Sequence, residues 1–258
     1  MEEDVLLVDK KDYICTLTLN RPQKHNALTP RILQQLQKNL VSFQDDDEVR
    51  AVIIRGAGDK AFSAGFDISI LDQTHQSGED YLQNALKSIR DCPVPVIAMV
   101  NGFALGGACE IAVNCDLRIA NDRAQFGMPQ AKIGMMESYQ AMQRFINLVG
   151  VAFTKEIFFT GRMIGSTQAK ETGLVNQVVP SKDLEKVCCD LANEITVNAP
   201  LTVKGSKFVI ERCLSCQTLT SEAEQEIQDV VTKIFRSNDY KEGMAAFMEK
   251  RNPNFTGK

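Results

Sequence analysis

Hydrophobic and polar residues alternate along the first part of the chain. Residues 5–8 and 14–19 alternate apolar with polar positions and are separated by polar residues, which predicts a β-hairpin. Thr29 and Pro30 then provide an N-cap and a first helical residue, and the leucines that follow have helical spacing. A short apolar run at 49–54 predicts another strand. This succession of strands and helices predicts an α/β fold.

A buried-strand pattern and an apolar helix pattern meet near the middle of the chain. Residues 94–100 form a β-branched, apolar run, and glycines separate it from an apolar segment that begins near Ala108. Gly106 and Gly107 would lie at the helix start, where free N–H groups stabilise an anion. Glu110 lies one turn further on, where a buried carboxylate is costly without a partner or a task. We therefore predict that the start of this helix is part of a functional site.

A second glycine-containing segment lies at 62–68 and reads Phe-Ser-Ala-Gly-Phe-Asp-Ile. Small residues around Gly65 allow a ligand to approach the backbone, and the N–H group that follows Gly65 is a candidate donor. As structure alone, the segment would be a β-bulge or a turn. A helix is predicted next, over residues 77–90.

The second half of the chain has mainly helical patterns. Helices are predicted over 152–159, 166–170, 184–199, 201–216, 220–236 and 241–250, and a strand over 178–180. Asn198-Ala199-Pro200 is the predicted hinge between the α/β body and the helical end of the chain. We therefore divide the chain into an α/β core, residues 1–198, and a helical region, residues 199–258.

Composition narrows the classes of function. The 258 residues are 44% hydrophobic and 24% charged, as in an ordinary globular protein. A net charge of −4 argues against nucleic acid or an anionic membrane as a partner. No segment resembles a signal peptide or a membrane span. Eight cysteines are best interpreted as reduced thiols, which indicates the cytoplasm, and we expect no metal site at Cys213 and Cys216 because no other ligand pair follows them.

Four stretches carry a further pattern. They are 20–22 (Asn-Arg-Pro) with 26–28 (Asn-Ala-Leu); 62–68; 101–110 (Asn-Gly-Phe-Ala-Leu-Gly-Gly-Ala-Cys-Glu) through 126–129 (Phe-Gly-Met-Pro); and 159–161 (Phe-Thr-Gly) through 173–175 (Gly-Leu-Val). In this order, over nearly the whole chain, they resemble the crotonase family, also called the enoyl-CoA hydratase/isomerase family.

The resemblance implies a fold, an assembly and a substrate class. The fold would be a spiral of ββα units with a C-terminal helical trimerisation region, and the assembly a homotrimer or homohexamer. The substrate would be an acyl-CoA thioester, with no cofactor beyond its own CoA. The resemblance also implies that the N–H groups of Phe66 and Gly107 hold the thioester carbonyl. The residues implied to bind CoA are Lys24, Ala64, Asp67 and Ile68.

The chain departs from the family pattern at one catalytic position. Family hydratases carry one glutamate at the position of Glu110 and a second at the position of Gln130. An amide can orient water, but it cannot exchange a proton at useful pH. The following segment, 134–142, is rebuilt with bulkier residues, and Glu137 is the new carboxylate in it.

Three functions remain open at this point. A hydratase would use Glu110 for proton transfer, with Gln130 or Glu137 completing the water site. A double-bond isomerase needs one base, but family isomerases usually keep their carboxylate near position 130. A non-catalytic acyl-CoA binding subunit would have no need for Glu110. Hydration is therefore the preferred hypothesis.

Overall fold

The computed structural model describes residues 4–67, 69, 80–215, 221–222, 225, 228–229, 232 and 235–254. Its strands are β1 Leu6–Lys11, β2 Ile14–Leu19, β3 Ala51–Gly56, β4 Ala61–Ser63, β5 Val96–Val100, β6 Phe103–Leu105, β7 Leu117–Asn121, β8 Gln125–Gly127, β9 Met163–Gly165 and β10 Gln177–Val179. Its helices are α1 Pro30–Ser42, α2 Tyr81–Asp91, α3 Gly107–Asn114, α4 Tyr139–Thr160, α5 Ser166–Glu171, α6 Leu184–Thr196, α7 Pro200–Ser215 and α8 Asn238–Glu249.

The larger sheet of the described chain has the strand order β1-β2-β3-β5-β7-β10. The antiparallel pair β1 and β2 is the predicted hairpin, with Leu6 opposite Leu19. The remaining neighbours are parallel. Every residue of β5 is buried, which fits a parallel sheet covered on both faces and explains the continuous apolar run at this strand.

A second, smaller sheet has the order β4-β6-β8-β9. Strands β3, β5 and β7 of the larger sheet are each followed by one of its strands, namely β4, β6 and β8. A helix follows each of the first two strand pairs, α2 after β4 and α3 after β6. This repetition is the expected spiral of ββα units, and the α/β fold class is confirmed.

One hydrophobic cluster of the described residues lies between the larger sheet and helix α6. Its buried members are Ala51, Ile53, Ile97, Met99, Ile119, Val179, Leu184, Cys188 and Ala192. Helices α1 and α2 pack against each other. Helix α1 begins as predicted, because Thr29 is its N-cap and the hydroxyl oxygen accepts a hydrogen bond from the Ile32 amide at 3.3 Å.

One predicted helix start was wrong. Helix α2 begins at Tyr81 and not at residue 77, because Asp80 is its N-cap and accepts a hydrogen bond from the Gln83 amide at 2.9 Å. Helix α4 has a kink at the non-helical residue Gly150 (φ 75°), and its segment after the kink corresponds to the helix predicted over 152–159. The segment of α4 that begins at Tyr139 was not predicted. Residues 77–79 and most of the predicted helix 220–236 lie outside the described residues.

The chain forms two compact units. The first comprises Met1–Phe126 and Ile164–Cys213, and the second comprises Gly127–Met163 and Leu214–Lys258. The predicted division at residue 198 concerns an assembly role and stays a prediction. None of the helices that the structure describes has the length and apolar character needed to cross a membrane.

A buried ion pair ties helix α7 into the first unit. Lys207 is 7% exposed, and its ammonium donates to the carbonyls of Ile89 and Val94, each at 3.1 Å. It also donates to Asp116 Oδ2 at 2.7 Å. The same carboxylate oxygen accepts from the Val96 amide at 2.7 Å. This network links α2, β5 and α7 through a single cation.

Replacing Lys207 by Met should therefore destabilise the protein strongly. The substitution leaves the partly buried Asp116 carboxylate and two carbonyls without the ammonium that binds them, and loss of one partner of a buried ion pair typically costs about 3–5 kcal/mol. The matched control is Lys186→Met in the exposed Lys186–Asp190 pair, where little loss of stability is expected. Urea unfolding of both variants measures the difference, and equal losses would contradict a structural role for the buried pair.

Candidate active site

Helix α3 starts with an amide that has no internal acceptor. Gly106 precedes the helix with φ 52° and provides no side-chain cap, and Gly107 is the first helical residue. Among the described residues, no acceptor receives the Gly107 N–H. All eight residues of α3 are buried, so this donor stands at the positive end of a helix dipole within an apolar surrounding.

The loop after β4 lies against this helix start. Gly65 has φ 92°, and a Cβ built on it would lie 2.5 Å from the Leu105 carbonyl oxygen and 3.8 Å from the Gly107 nitrogen. Only glycine fits such a close approach at positive φ. The peptide that leads to Phe66 is therefore adjacent to the Gly107 amide.

An isolated β-bridge fixes the orientation of Phe66. The Leu28 amide donates to the Gly65 carbonyl at 2.8 Å, and the Asp67 amide donates to the Leu28 carbonyl at 2.9 Å. In this parallel arrangement, the N–H group of Phe66 points away from Leu28. Within the described part of the chain it has no acceptor. The structure thus places the two predicted donors, Phe66 and Gly107, close together.

A buried asparagine supports the loop after β4 through hydrogen bonds. Asn26 is fully buried at φ 56°, and its side-chain amide donates to the carbonyls of Ala57 at 3.0 Å and Ala61 at 2.8 Å. Its side-chain oxygen accepts from the Arg21 amide at 3.0 Å. The Ser63 hydroxyl oxygen accepts from the Gly65 amide at 3.2 Å. These bonds satisfy a buried loop that would otherwise leave backbone groups without partners.

Glu110 lies in the first turn of α3 and is 1% exposed. The far end of the same helix is held by Arg118, a buried residue of β7 that the sequence analysis did not single out. Its guanidinium donates to the carbonyls of Ala112 at 3.2 Å and Cys115 at 2.5 Å. A cation at a helix C-terminus complements the helix dipole. The signal in the sequence was a lone arginine between the apolar residues Leu117 and Ile119 of a strand.

Gln130 and Glu137 lie in the second unit and are in direct contact. Gln130 belongs to the 3-10 helix Pro129–Ile133 and is 8% exposed. Its Nε2 donates a hydrogen bond to Glu137 Oε1, while its own Oε1 is buried without a donor among the described residues. Gly243 of α8 packs on this helix, since a Cβ there would meet the Ile133 carbonyl oxygen at 2.3 Å. The amide is thus paired with the new carboxylate.

The residues predicted to bind CoA are only partly accessible. Lys24 and Ala64 are exposed, and Ile68 lies outside the described residues. Both oxygens of the Asp67 carboxylate are engaged, by Arg21 Nη1 at 3.0 Å and by the Ser69 hydroxyl at 2.6 Å. Burial acts to raise the pKa of Asp67, but the hydrogen bonds from Ser69 and Arg21 outweigh it and hold the pKa below its ordinary value. A role for Asp67 in CoA binding stays a prediction.

Comparison with known proteins identifies the family. The family model described as enoyl-CoA hydratase/isomerase matches residues 9–258. The chain belongs to this family. A short-chain-enoyl-CoA hydratase of Clostridium acetobutylicum is 38% identical over 255 residues, 97% of each chain. A crotonyl-CoA hydratase of Syntrophomonas wolfei is 35% identical over 262 residues, covering both chains fully.

Solved structures show the same family fold. A methylmalonyl-CoA decarboxylase in complex with 2-nitronate-propionyl-CoA superposes with a TM-score of 0.93 at 31% identity, over 99% of each chain. An enoyl-CoA hydratase of Bacillus anthracis superposes with a TM-score of 0.79 at 31% identity, over 99% of this chain and 100% of the other. The resemblance in the sequence motifs is confirmed.

The close approach at Gly65 should make its replacement costly. Gly65→Ala forces a Cβ against the Leu105 carbonyl at a strained φ, and we expect a loss of about 1–3 kcal/mol in the free energy of unfolding. The matched control is Gly205→Ala in helix α7, where a Cβ meets nothing within 4 Å and alanine should stabilise the helix by about 0.5–1 kcal/mol. Thermal unfolding compares the two variants. A stable Gly65→Ala protein would contradict the described loop.

Proposed function

We propose that this member of the enoyl-CoA hydratase/isomerase family is a hydro-lyase that adds water to, or removes it from, the double bond of an enoyl-CoA thioester. The observation that carries the proposal is the pair of adjacent amides, Phe66 and Gly107, neither with an acceptor in the described chain. A buried carboxylate, Glu110, lies on the same helix as one of them. The hydratase relatives support hydration over the other reactions of the family.

The two amides act on the thioester oxygen. When the oxygen of water bonds to C3, electron density moves through C2 and the carbonyl carbon onto the thioester oxygen, forming an enolate. Two fixed N–H donors in an apolar surrounding stabilise this charge without reorganising, and removal of one such donor typically costs about 3–4 kcal/mol. The donors bind the enolate more strongly than the neutral thioester, so they lower the barrier.

Glu110 is the proposed proton-transferring group. As a carboxylate it accepts a proton from the attacking water, and a proton is then delivered to C2, so that one water is added in total. Its place in the first turn of α3 supports an ionised form, because the helix dipole favours negative charge there. Its burial supports a functional role, because a buried carboxylate is otherwise costly.

The proposal gives Gln130 and Glu137 a joint role. Gln130 stands where the family resemblance places the second glutamate, and an amide cannot transfer a proton. Its hydrogen bond to Glu137 supports an arrangement in which Gln130 orients Glu137 and water, and Glu137 supplies the missing carboxylate.

We also propose a cofactor requirement, an assembly and a compartment for the protein. No cofactor beyond the substrate's CoA is needed, because the two amides supply the charge stabilisation. A homotrimer or homohexamer is supported by apolar side chains that α7 exposes, which are Leu201, Phe208, Val209 and Ile210. The proposed CoA-binding residues are Lys24, Ala64 and Ile68, with Asp67 taking part through its backbone. The cytoplasm is supported by the free cysteines of the described chain, five of them buried.

A second candidate function is decarboxylation of a 2-carboxyacyl-CoA thioester. The specific observation is that the methylmalonyl-CoA decarboxylase superposes more closely than the Bacillus anthracis hydratase at equal identity. Loss of CO₂ breaks a C–C bond and leaves its electron pair as the same enolate, which a proton then quenches at C2. Gln130 is neutral and would not repel a substrate carboxylate as a second glutamate would.

A small substrate panel tests the proposed function. Purified protein is incubated with crotonyl-CoA, a 3-enoyl-CoA, methylmalonyl-CoA and butanoyl-CoA, and the products are followed by mass and ultraviolet absorbance. Hydration of crotonyl-CoA adds the mass of one water and is the expected result. Loss of the mass of CO₂ from methylmalonyl-CoA supports the second candidate. A shifted spectrum at constant mass would indicate an isomerase, and binding without any change would overturn both candidates.

Glu110→Gln tests the proton-transferring group. The substitution keeps shape and hydrogen bonding but removes the exchangeable carboxyl proton, so kcat should fall at least about a hundredfold. The affinity for butanoyl-CoA should change little. Glu171→Gln on the exposed side of α5 is the matched control and should keep full activity. If Glu110→Gln is fully active, another residue transfers the proton.

Exchanging the Gln130–Glu137 pair tests the second carboxylate. Glu137→Gln alone should lower kcat by about a hundredfold, because it leaves two amides and no second carboxylate. The double variant Gln130→Glu/Glu137→Gln restores an amide–carboxylate pair and moves the carboxylate to the family position, so hydration of crotonyl-CoA should return. Steady-state kinetics measures both. A Glu137→Gln protein with unchanged kcat would exclude Glu137 from the chemistry.

A further inference from the structure

Arg21 joins the two chain segments that surround the Phe66 amide. Its Nη1 atom donates to the Ala27 carbonyl at 2.9 Å and to Asp67 Oδ2 at 3.0 Å. The Arg21 and Asp67 side chains are only 19% and 18% exposed. The pair is therefore partly shielded from solvent, where a charged hydrogen bond is stronger than at an open surface.

The position of these contacts gives them a consequence for Phe66. Ala27 immediately precedes Leu28, and Asp67 immediately follows Phe66, so the Arg21 guanidinium lies beside the bridge formed by Leu28 and Phe66. The bridge sets the direction of the Phe66 N–H, and Arg21 holds both of its sides. Loss of the Arg21 side chain would remove both contacts, and loss of the Asp67 carboxylate would remove the contact on the Phe66 side of the bridge.

We propose that Arg21 and Asp67 are positioning residues that aim the Phe66 N–H at the thioester oxygen, and that the Asp67 carboxylate does not contact CoA. Both oxygens of this carboxylate are already engaged, Oδ2 by Arg21 and Oδ1 by the Ser69 hydroxyl. The inference rests on the proposed function only in naming the thioester as the group that the amide meets. It restricts the CoA-binding role that the family resemblance implied for Asp67 to the backbone of this residue.

The expected effect is on turnover and not on affinity. A donor that tilts away from the developing charge loses its benefit in the transition state, while the neutral thioester still binds through its other contacts. Small displacements of a catalytic group cost up to about a hundredfold in rate. We expect Arg21→Met and Asp67→Ala each to lower kcat by about ten- to a hundredfold, with KM changed less than about threefold.

A double-mutant cycle with a spectroscopic signal tests the proposal. The variants are Arg21→Met, Asp67→Ala, their combination, and the conservative Asp67→Asn, which still offers an oxygen to Arg21. Each protein is saturated with butanoyl-CoA, and the carbonyl stretching frequency of the bound thioester is measured by infrared difference spectroscopy. Arg162→Met, in the exposed Arg162–Glu156 pair, is the matched control.

The proposal expects a common shift. The carbonyl frequency should return toward that of free butanoyl-CoA in both single variants, the double variant should add little to either, and Asp67→Asn and the control should resemble the parent protein. A raised KM with unchanged kcat and frequency would show a CoA contact instead, and lowered thermal stability alone would show a purely structural pair. Since butanoyl-CoA is not turned over, the frequency test holds even if the substrate panel shows no hydration.

Discussion

On the proposed function, the N–H groups of Phe66 and Gly107 must have no internal acceptor and must keep a fixed direction. The residues around both groups meet these two conditions. The first residue of any helix has such an amide, so α3 supplies the Gly107 donor without a special device. The Phe66 N–H also has no acceptor in the described chain, but for a different reason. The β-bridge to Leu28 uses the Gly65 carbonyl and the Asp67 amide, so the Phe66 N–H itself points away from Leu28. Both donors are backbone groups, so their direction depends on the fold and not on a rotamer.

The alternation of strands between the two sheets brings these donors together. Strands β4 and β6 are parallel neighbours, and the chain leaves them toward Phe66 and Gly107 respectively. Side-chain hydrogen bonds hold each segment. Asn26 and Arg21 provide them at the loop, and Arg118 provides them at the far end of α3. These hydrogen bonds hold the Phe66 loop and helix α3 in place, as a preorganised site requires.

Local patterns predicted most of this fold, and non-local contacts explain what they missed. The hairpin, helix α1 and the strand–glycine–helix unit at Gly107 follow from periodicity and caps, which are properties of neighbouring residues. The role of Asp67 could not be predicted in the same way, because its partner Arg21 is distant in sequence and becomes a neighbour only through the Leu28 bridge. Arg118 was missed for a different reason, since its acceptors Ala112 and Cys115 are near in sequence but are backbone carbonyls at a helix end, which no side-chain motif marks.

The two amides do not choose the reaction, because hydration, isomerisation and decarboxylation all pass through a thioester enolate. The reaction is determined by which side chains of the site can transfer a proton. Gln130 removes one carboxylate from its family position, which disfavours simple proton transfer there, but its hydrogen bond holds Glu137 in a defined place. On the proposed function, the pair therefore keeps one carboxylate for proton transfer, and the amide at position 130 is not by itself a loss of catalysis.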